Sequence, residues 1–241
     1  MTFETDSQMG GSDTHMNMRT LVAMSGLVFV TLLSHANAQI PPTPGELAAY
    51  DGLHKAAAGG DIRMLQSALA AGADVNARDA KGRTPFHVAA YRRQAQAMTI
   101  LVRHGGDANA LEAQAYDAVT IAAVADDVET LTTALALGNR ATNVTSPYRG
   151  TALIAAAHLG HDEVVRLLIA AGAPLDHVNN LGWTALIEAV ILGNGGARHR
   201  RTVEHLVKAG ANRSLGDRHG VTPLEHAKHL GFAEIVAVLE K

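Results

Sequence analysis

Eleven histidines follow residue 38, and two pairs of them stand three residues apart with a carboxylate beside each: His158 and His161 next to Asp162, and His226 and His229 next to Glu225. Residues at that spacing share one face of a helix, so either pair could offer two ligands to zinc. A zinc site needs a third protein ligand at least, and spacing alone supplies none, so no metal is assigned. The paired acids Asp126-Asp127 and Asp162-Glu163 could serve as general acid and base only in a pocket that excludes water. Both stand in turn-like sequence and read as solvated faces or helix-start charges. Gly193-Asn194-Gly195-Gly196, followed by Ala197-Arg198-His199-Arg200-Arg201, has the composition of a phosphate cradle. No Gly-Lys-Ser/Thr follows it and no strand pattern precedes it, so it reads as a solvated, flexible loop. Only three serines follow residue 38, none in Gly-x-Ser-x-Gly; cysteine and His-Glu-x-x-His are absent. The chain is therefore read as a non-enzyme, with no catalytic residue and no cofactor.

The elements that carry these residues recur. A helix-opening threonine or its stand-in falls at Asp51, Thr84, Asp117, Thr151, Thr184 and Thr222, in steps of 33, 33, 34, 33 and 38 residues. A glycine that closes a second helix falls at Gly72, Gly105, Gly138, Gly172 and Gly210, in steps of 33, 33, 34 and 38. Thr84-Pro85 and Thr222-Pro223 place a hydroxyl N-cap before a proline at the first helical position, where no N–H is missed. Ala89-Ala90, Ala122-Ala123 and Ala155-Ala156-Ala157 favour helix and let neighbouring helices approach closely. Val164, Val165, Leu167 and Leu168 form the apolar stripe of a second helix, and Gly172 suits the left-handed position beyond its end. Between units, Gly72 to Thr84 carries the Asp, Asn and Gly of tight turns and predicts a projecting, hairpin-like finger.

Thr84-Pro85-Phe86-His87-Val88-Ala89-Ala90 and Gly72-Ala73-Asp74-Val75-Asn76-Ala77 closely resemble the ankyrin-repeat signature, and the resemblance covers about 190 residues. It implies an all-α solenoid of about six helix-turn-helix units with hairpin-like fingers, displaying a binding face but naming no partner. It also implies that His54 and His87 hold neighbouring turns together. Unit three departs furthest: Asp126-Asp127 replace Gly-His, and its finger keeps none of the Gly-Ala-Asp-x-Asn pattern. That leaves its finger geometry open and makes residues 112–150 the expected weak joint. The five-residue excess of unit five falls between Ile191 and Val203, in a glycine-rich, histidine-containing insertion similar to those of several bacterial ankyrin proteins.

Before the repeats, Met16 to Thr20 carries one positive charge, Leu21 to Leu33 is apolar, and Ala36-Asn37-Ala38 matches an Ala-x-Ala cleavage site. This is the pattern of a secretory signal peptide, with cleavage after Ala38. Thirteen apolar residues reach only about 20 Å, short of a hydrocarbon core of about 30 Å. The acidic lead of fifteen residues suggests a true start at Met16 or Met18. The chain divides into 1–38 (extension and signal peptide), 39–45 (Pro-rich spacer) and 46–241 (repeat domain). Without cysteine there is neither a disulfide nor a lipid-anchor site, and the expected destination is the periplasm. Removing residues 1–38 takes away three of 23 acids and one of 20 bases and leaves the chain near neutrality, which favours no nucleic acid.

In the family, contacts come mainly from finger tips and from the end of the first helix. The first column here includes Arg83, Tyr116, Tyr148, Arg149 and Trp183; the second includes Tyr91, Arg92 and His158. Tyr, Trp and Arg dominate interface hot spots, although large rings also pack locally on neighbouring fingers. The expected activity is binding of a cell-envelope protein by a monomeric scaffold or accessory factor, with an immunity-type inhibitor of a toxin or enzyme as the alternative.

Overall fold

The structure, a computed structural model, describes residues 39–241; the expected leader and its cleavage after Ala38 lie outside the described residues. After a lone first helix, α1 (Pro44–Ala49), the described chain is a stack of helix pairs. The pairs are α2 (Gly52–Gly59) with α3 (Ile62–Ala70), α4 (Pro85–Tyr91) with α5 (Ala95–Arg103), and α6 (Ala118–Val124) with α7 (Val128–Ala136). Then come α8 (Ala152–Leu159) with α9 (Asp162–Ala170), α10 (Ala185–Ile191) with α11 (Ala197–Lys208), and α12 (Pro223–Leu230) with α13 (Ala233–Leu239). Six units are present, as the two rulers require, and regular secondary structure among the described residues is all helical.

Each first helix opens at its expected cap. Thr84, Asp117, Thr151, Thr184 and Thr222 all accept a backbone N–H three residues on, while Asp51 holds the position without a side-chain bond. Each second helix but the last ends at its ruler glycine. At Gly172 the backbone is left-handed (φ 80°), its N–H bonds Ile169 O and the next N–H bonds Leu168 O, both at 3.0 Å. That pattern satisfies two carbonyls the helix itself cannot, and it recurs at Gly72, Gly105, Gly138 and Gly210. The stretch read as a spacer is shorter than expected, because Thr43 and Glu46 form a reciprocal capping box and α1 begins at Pro44.

The core runs along the stack. Ala56-Ala57, Ala89-Ala90, Ala122-Ala123, Ala156-Ala157 and Ala189 are buried between successive first helices, and Leu65, Leu101, Leu131, Leu168 and Leu206 fill the layer below the second helices. First helices sit closer to one another than second helices do, so the stack curves toward its first-helix side.

Fingers join the units. One side chain closes each of them by accepting two N–H groups: Asp79 from Lys81 and Arg83, Glu112 from Gln114 and Tyr116, Ser146 from Tyr148 and Gly150. Asn179 and Asp217 do the same in fingers four and five. The divergent third finger keeps this closure, and the Thr145–Gly150 bridge pairs its two sides. Its own filling is polar: buried Asp117 accepts from Asn139 and Asn143 at 2.8 and 2.9 Å and from the Thr120 hydroxyl at 2.7 Å.

His54 Nε2 lies 2.9 Å from Arg83 O, and His87 Nε2 lies 2.9 Å from Ala110 O and 3.2 Å from Tyr116 O, so both rings tie one turn to the next. Nδ1 of His87 accepts the Thr84 N–H, so Nε2 carries the proton and the ring is neutral. Burial pushes its pKa down from 6.5 to about 4. The unfolded chain therefore takes up this proton first as pH falls. The contribution is complete above pH 6.5 and is lost between there and about 4. Urea titrations at pH 7.5 and 5.0 are expected to show a loss of about 2 kcal/mol from this group, and His87→Gln should flatten that slope.

Candidate protein-binding face

Two columns of side chains are candidates for contact, and their exposures differ. In the finger column, Arg83, Tyr116 and Trp183 are 1%, 7% and 9% exposed. This corrects the expectation that they display themselves to a partner. Arg83, Tyr116 and Trp183 each use N–H and C=O to close their own finger. Arg83 is the extreme case. Its guanidinium holds Asp79 at 2.7 Å, Glu46 at 2.8 Å and the carbonyl of Ile40 at 3.3 Å, while Tyr50 donates to Asp79 at 2.6 Å. Burial opposes ionisation of Asp79, but the bonds from Tyr50 and Arg83 outweigh it and hold its carboxyl below the usual range. Burial, and then the bond to Asp79, raises the Tyr50 phenol.

Tyr148 is half-buried, with its carbonyl accepting Asn180 N–H at 2.9 Å; Arg149 is exposed, in a left-handed conformation (φ 53°), with its carbonyl 2.7 Å from His177 Nε2. In the first-helix column Tyr91 and His158 are half-buried and Arg92 is exposed, each at the C-terminal end of its first helix. Val124, Ile191 and exposed Leu159 and His229 continue that column. The structure thus brings Tyr91, Arg92 and His158 into one file and leaves Tyr148 and Arg149 on the finger side.

Glu188 is the functional candidate the sequence reading missed. It is 5% exposed on the inner face of α10, accepts from Asn179 Nδ2 at 2.8 Å and lies 3.2 Å from His158 Nδ1. It occupies the helix position filled by Val88 and Ile121 in units two and three, and a carboxylate where hydrophobes recur was the available signal. The histidine pairs do not converge. His161 Nδ1 lies 2.9 Å from Ala123 O and His226 Nε2 lies 3.0 Å from Asp217 Oδ2; among the described residues no three His, Cys, Asp or Glu side chains gather as a metal set.

The glycine-rich insertion is not the solvated loop expected of it. A Cβ on Gly195 would sit 2.5 Å from the Phe232 ring, and one on Gly160 would sit 2.8 Å from the His199 ring, so the segment is packed at both points. From its helical end Arg198 reaches Asp126 at 2.8 Å and Asp162 at 3.1 Å, and Arg201 reaches Asp162 at 2.6 Å. His199 Nε2 lies 3.0 Å from His158 O. The insertion therefore clasps units three, four and six to unit five. Its arginines are already matched by carboxylates, which leaves no anion site.

A curved stack of capped helix pairs joined by hydrogen-bonded fingers defines a repeat solenoid whose inner helices and fingers form its display surface. The chain belongs to the ankyrin-repeat proteins: family models described as ankyrin repeats match residues 53–102 and 119–212. The ankyrin repeat protein YahD of Escherichia coli K12 is 32% identical over 185 residues, which is 76% of this chain and 92% of that protein. An L-asparaginase of Dirofilaria immitis is 30% identical over 189 residues, but these are 30% of that enzyme. Among solved structures, an ankyrin repeat domain of Acinetobacter baumannii AYE superposes with a TM-score of 0.74 at 42% identity, covering 78% of this chain and 95% of that one. The ankyrin repeat protein EF0377 gives 0.73 at 30% identity, covering 80% and 99%. Ankyrin repeats make this chain a protein-interaction module. No helix among the described residues is long and apolar enough to cross a membrane.

Arg83→Met would strand Asp79 and Glu46 without their cation and is expected to cost about 3 kcal/mol, read by urea unfolding followed by circular dichroism. Asp162→Ala should cost only about 1 kcal/mol, because its arginine partners are largely exposed. Wild-type stability is expected to fall more than the variant's between low and high salt, since only the wild type has those pairs to screen.

Proposed function

We propose that this chain is exported to the periplasm, loses residues 1–38 by cleavage after Ala38, and binds a protein of the cell envelope as a monomeric scaffold or accessory factor. The observation that carries the binding face is the accessible file on the inner helices, Tyr91, Arg92, Val124, His158 and Leu159, with buried Glu188 beside His158. The apolar segment 21–33, Ala36-Asn37-Ala38 and the absence of cysteine support export in soluble form.

The mechanism is rigid display. Stacking, finger hydrogen bonds and the arginine clasp order the face before a partner arrives, so little further entropy is lost on association. Tyr91 offers a flat ring with few rotatable bonds, Arg92 a planar cation, and His158 a ring already oriented by Glu188. Tyr116 and Trp183 contribute by shaping the fingers from beneath.

A photoreactive residue at Arg92 or Leu159 is expected to crosslink an envelope protein in living cells, and one at Glu163 on the outer helix α9 is not. With the captured protein purified, alanine at Tyr91, Arg92 and His158 together should weaken binding by about 2 kcal/mol or more while circular dichroism stays unchanged. Equal affinity of the folded triple variant would place the contact elsewhere on the solenoid.

A further inference from the structure

We propose that the mature chain carries a pyroglutamate at position 39, formed from Gln39 once processing exposes its α-amine. The inference rests on the export reading above, because cleavage after Ala38 is what makes Gln39 the first residue. Three observations then bear on that residue. Gln39 is buried, and its amide nitrogen Nε2 has no hydrogen-bond partner. The following residues are pinned: Arg83 donates to the Ile40 carbonyl, Pro42 is buried, and the Thr43–Glu46 capping box fixes the start of α1. The cation that holds Ile40 is itself 1% exposed.

An unpartnered buried amide N–H2 is costly, and processing adds a charged ammonium to the same residue. One reaction removes both. The neutral α-amine attacks Cδ of its own side-chain amide, a C–N bond forms to close a five-membered lactam, the Cδ–Nε2 bond breaks, and Nε2 leaves as ammonia with the proton given up by the amine. The step is an intramolecular acyl transfer that needs no oxidant and no co-reactant. It deletes the orphaned nitrogen and converts a cation into a neutral lactam of proline-like size, which then continues into Ile40-Pro41-Pro42.

Only the neutral amine is a nucleophile. An amine whose ordinary pKa is close to 8 is mostly protonated at neutral pH, so cyclisation is expected to quicken as pH rises toward that value. The product has no free amine for an aminopeptidase and closes the end of the strap that covers Arg83.

Intact mass and N-terminal peptide analysis of the protein recovered from the periplasm test this. The expected species is residues 39–241 lighter by one ammonia, refractory to amine labelling at its first residue. Residues 39–241 at full mass with a reactive Gln39 amine would overturn the modification while leaving export standing. A mass that retains any of residues 1–38 would overturn export and the modification together. A second measurement isolates the contribution of the fold: processed chain beginning at uncyclised Gln39 is followed at neutral pH, folded and in urea. Faster cyclisation in the folded chain than in urea is expected, because only there is Nε2 buried without a partner; an equal or slower rate would overturn the assistance by the fold. Gln39→Glu, which lacks the amide leaving group, should keep a free amine with an unchanged circular dichroism spectrum.

Discussion

A unit leaves, where its second helix ends, a turn that its own backbone cannot complete, and in units two and three a side chain from the preceding unit completes it. Asn76 donates to the carbonyl of Gly105 and accepts the N–H of Asp107, at 3.1 and 2.8 Å. Asn109 repeats both contacts one unit on, with Gly138 and Arg140 at 3.0 Å each. The groups served are those exposed where a helix ends in a left-handed glycine, so the cap that terminates a helix is also the socket for the next unit. Buried or half-buried backbone polar groups are expensive to leave unpaired. A unit taken alone would therefore lose its asparagine's partners as well as its packed face, which is why such arrays gain stability from neighbours as much as from themselves.

That ladder has a gap, and the gap explains the arginine clasp. At the asparagine position unit three has Thr142, and unit four offers Pro174 where the others offer an N–H. Proline has none to give, and among the described residues no such rung joins the two units. What holds this joint is different in kind: the His161 ring on Ala123 O, the His177 ring on Arg149 O, the Asn180 N–H on Tyr148 O, and Arg198 reaching back over unit four to Asp126. Asp126 itself sits in a left-handed turn (φ 53°) that holds glycine in units one, four and six and Arg93 in unit two, a conformation that Asp tolerates better than most residues. A carboxylate there costs some backbone strain and provides the far anchor of the clasp. The five inserted residues of unit five are thus tied to the substitutions in unit three.

The repeat period, the caps, the closing glycines and the roles of His54 and His87 were legible in the sequence because each depends on a few consecutive residues. Thr84-Pro85 caps a helix and Gly172 ends one wherever they stand. The finger column was misread because its fate depends on the next finger. Tyr116 and Trp183 have hot-spot chemistry, but in the fingers closed by Glu112 and Asn179 their side chains are buried. A third ruler was available at Asp79, Glu112, Ser146, Asn179 and Asp217: five acceptor side chains in steps of 33, 34, 33 and 38. Their differing chemistry hides their common task, which is only to accept two N–H groups. The insertion was located correctly and given the wrong character, since its carboxylate partners lie 36 to 72 residues away.

Fold rigidity and binding meet at His158. Its ring faces Glu188 on the inner surface, its carbonyl accepts the His199 ring of the insertion, and Glu188 is in turn bonded to Asn179, which closes finger four. One continuous set of contacts therefore runs from the outer clasp through α8 and α10 to a finger. The most polar point of the display face is also the best braced. A side chain so held presents one geometry, and the entropy that a flexible contact would lose on association has already been lost in folding. Tyr91 and Arg92 sit two units away, on a stretch joined by intact asparagine rungs, so the two ends of the file are stiffened by different means. The joint between units three and four lacks an asparagine rung, and the arginine clasp spans it instead.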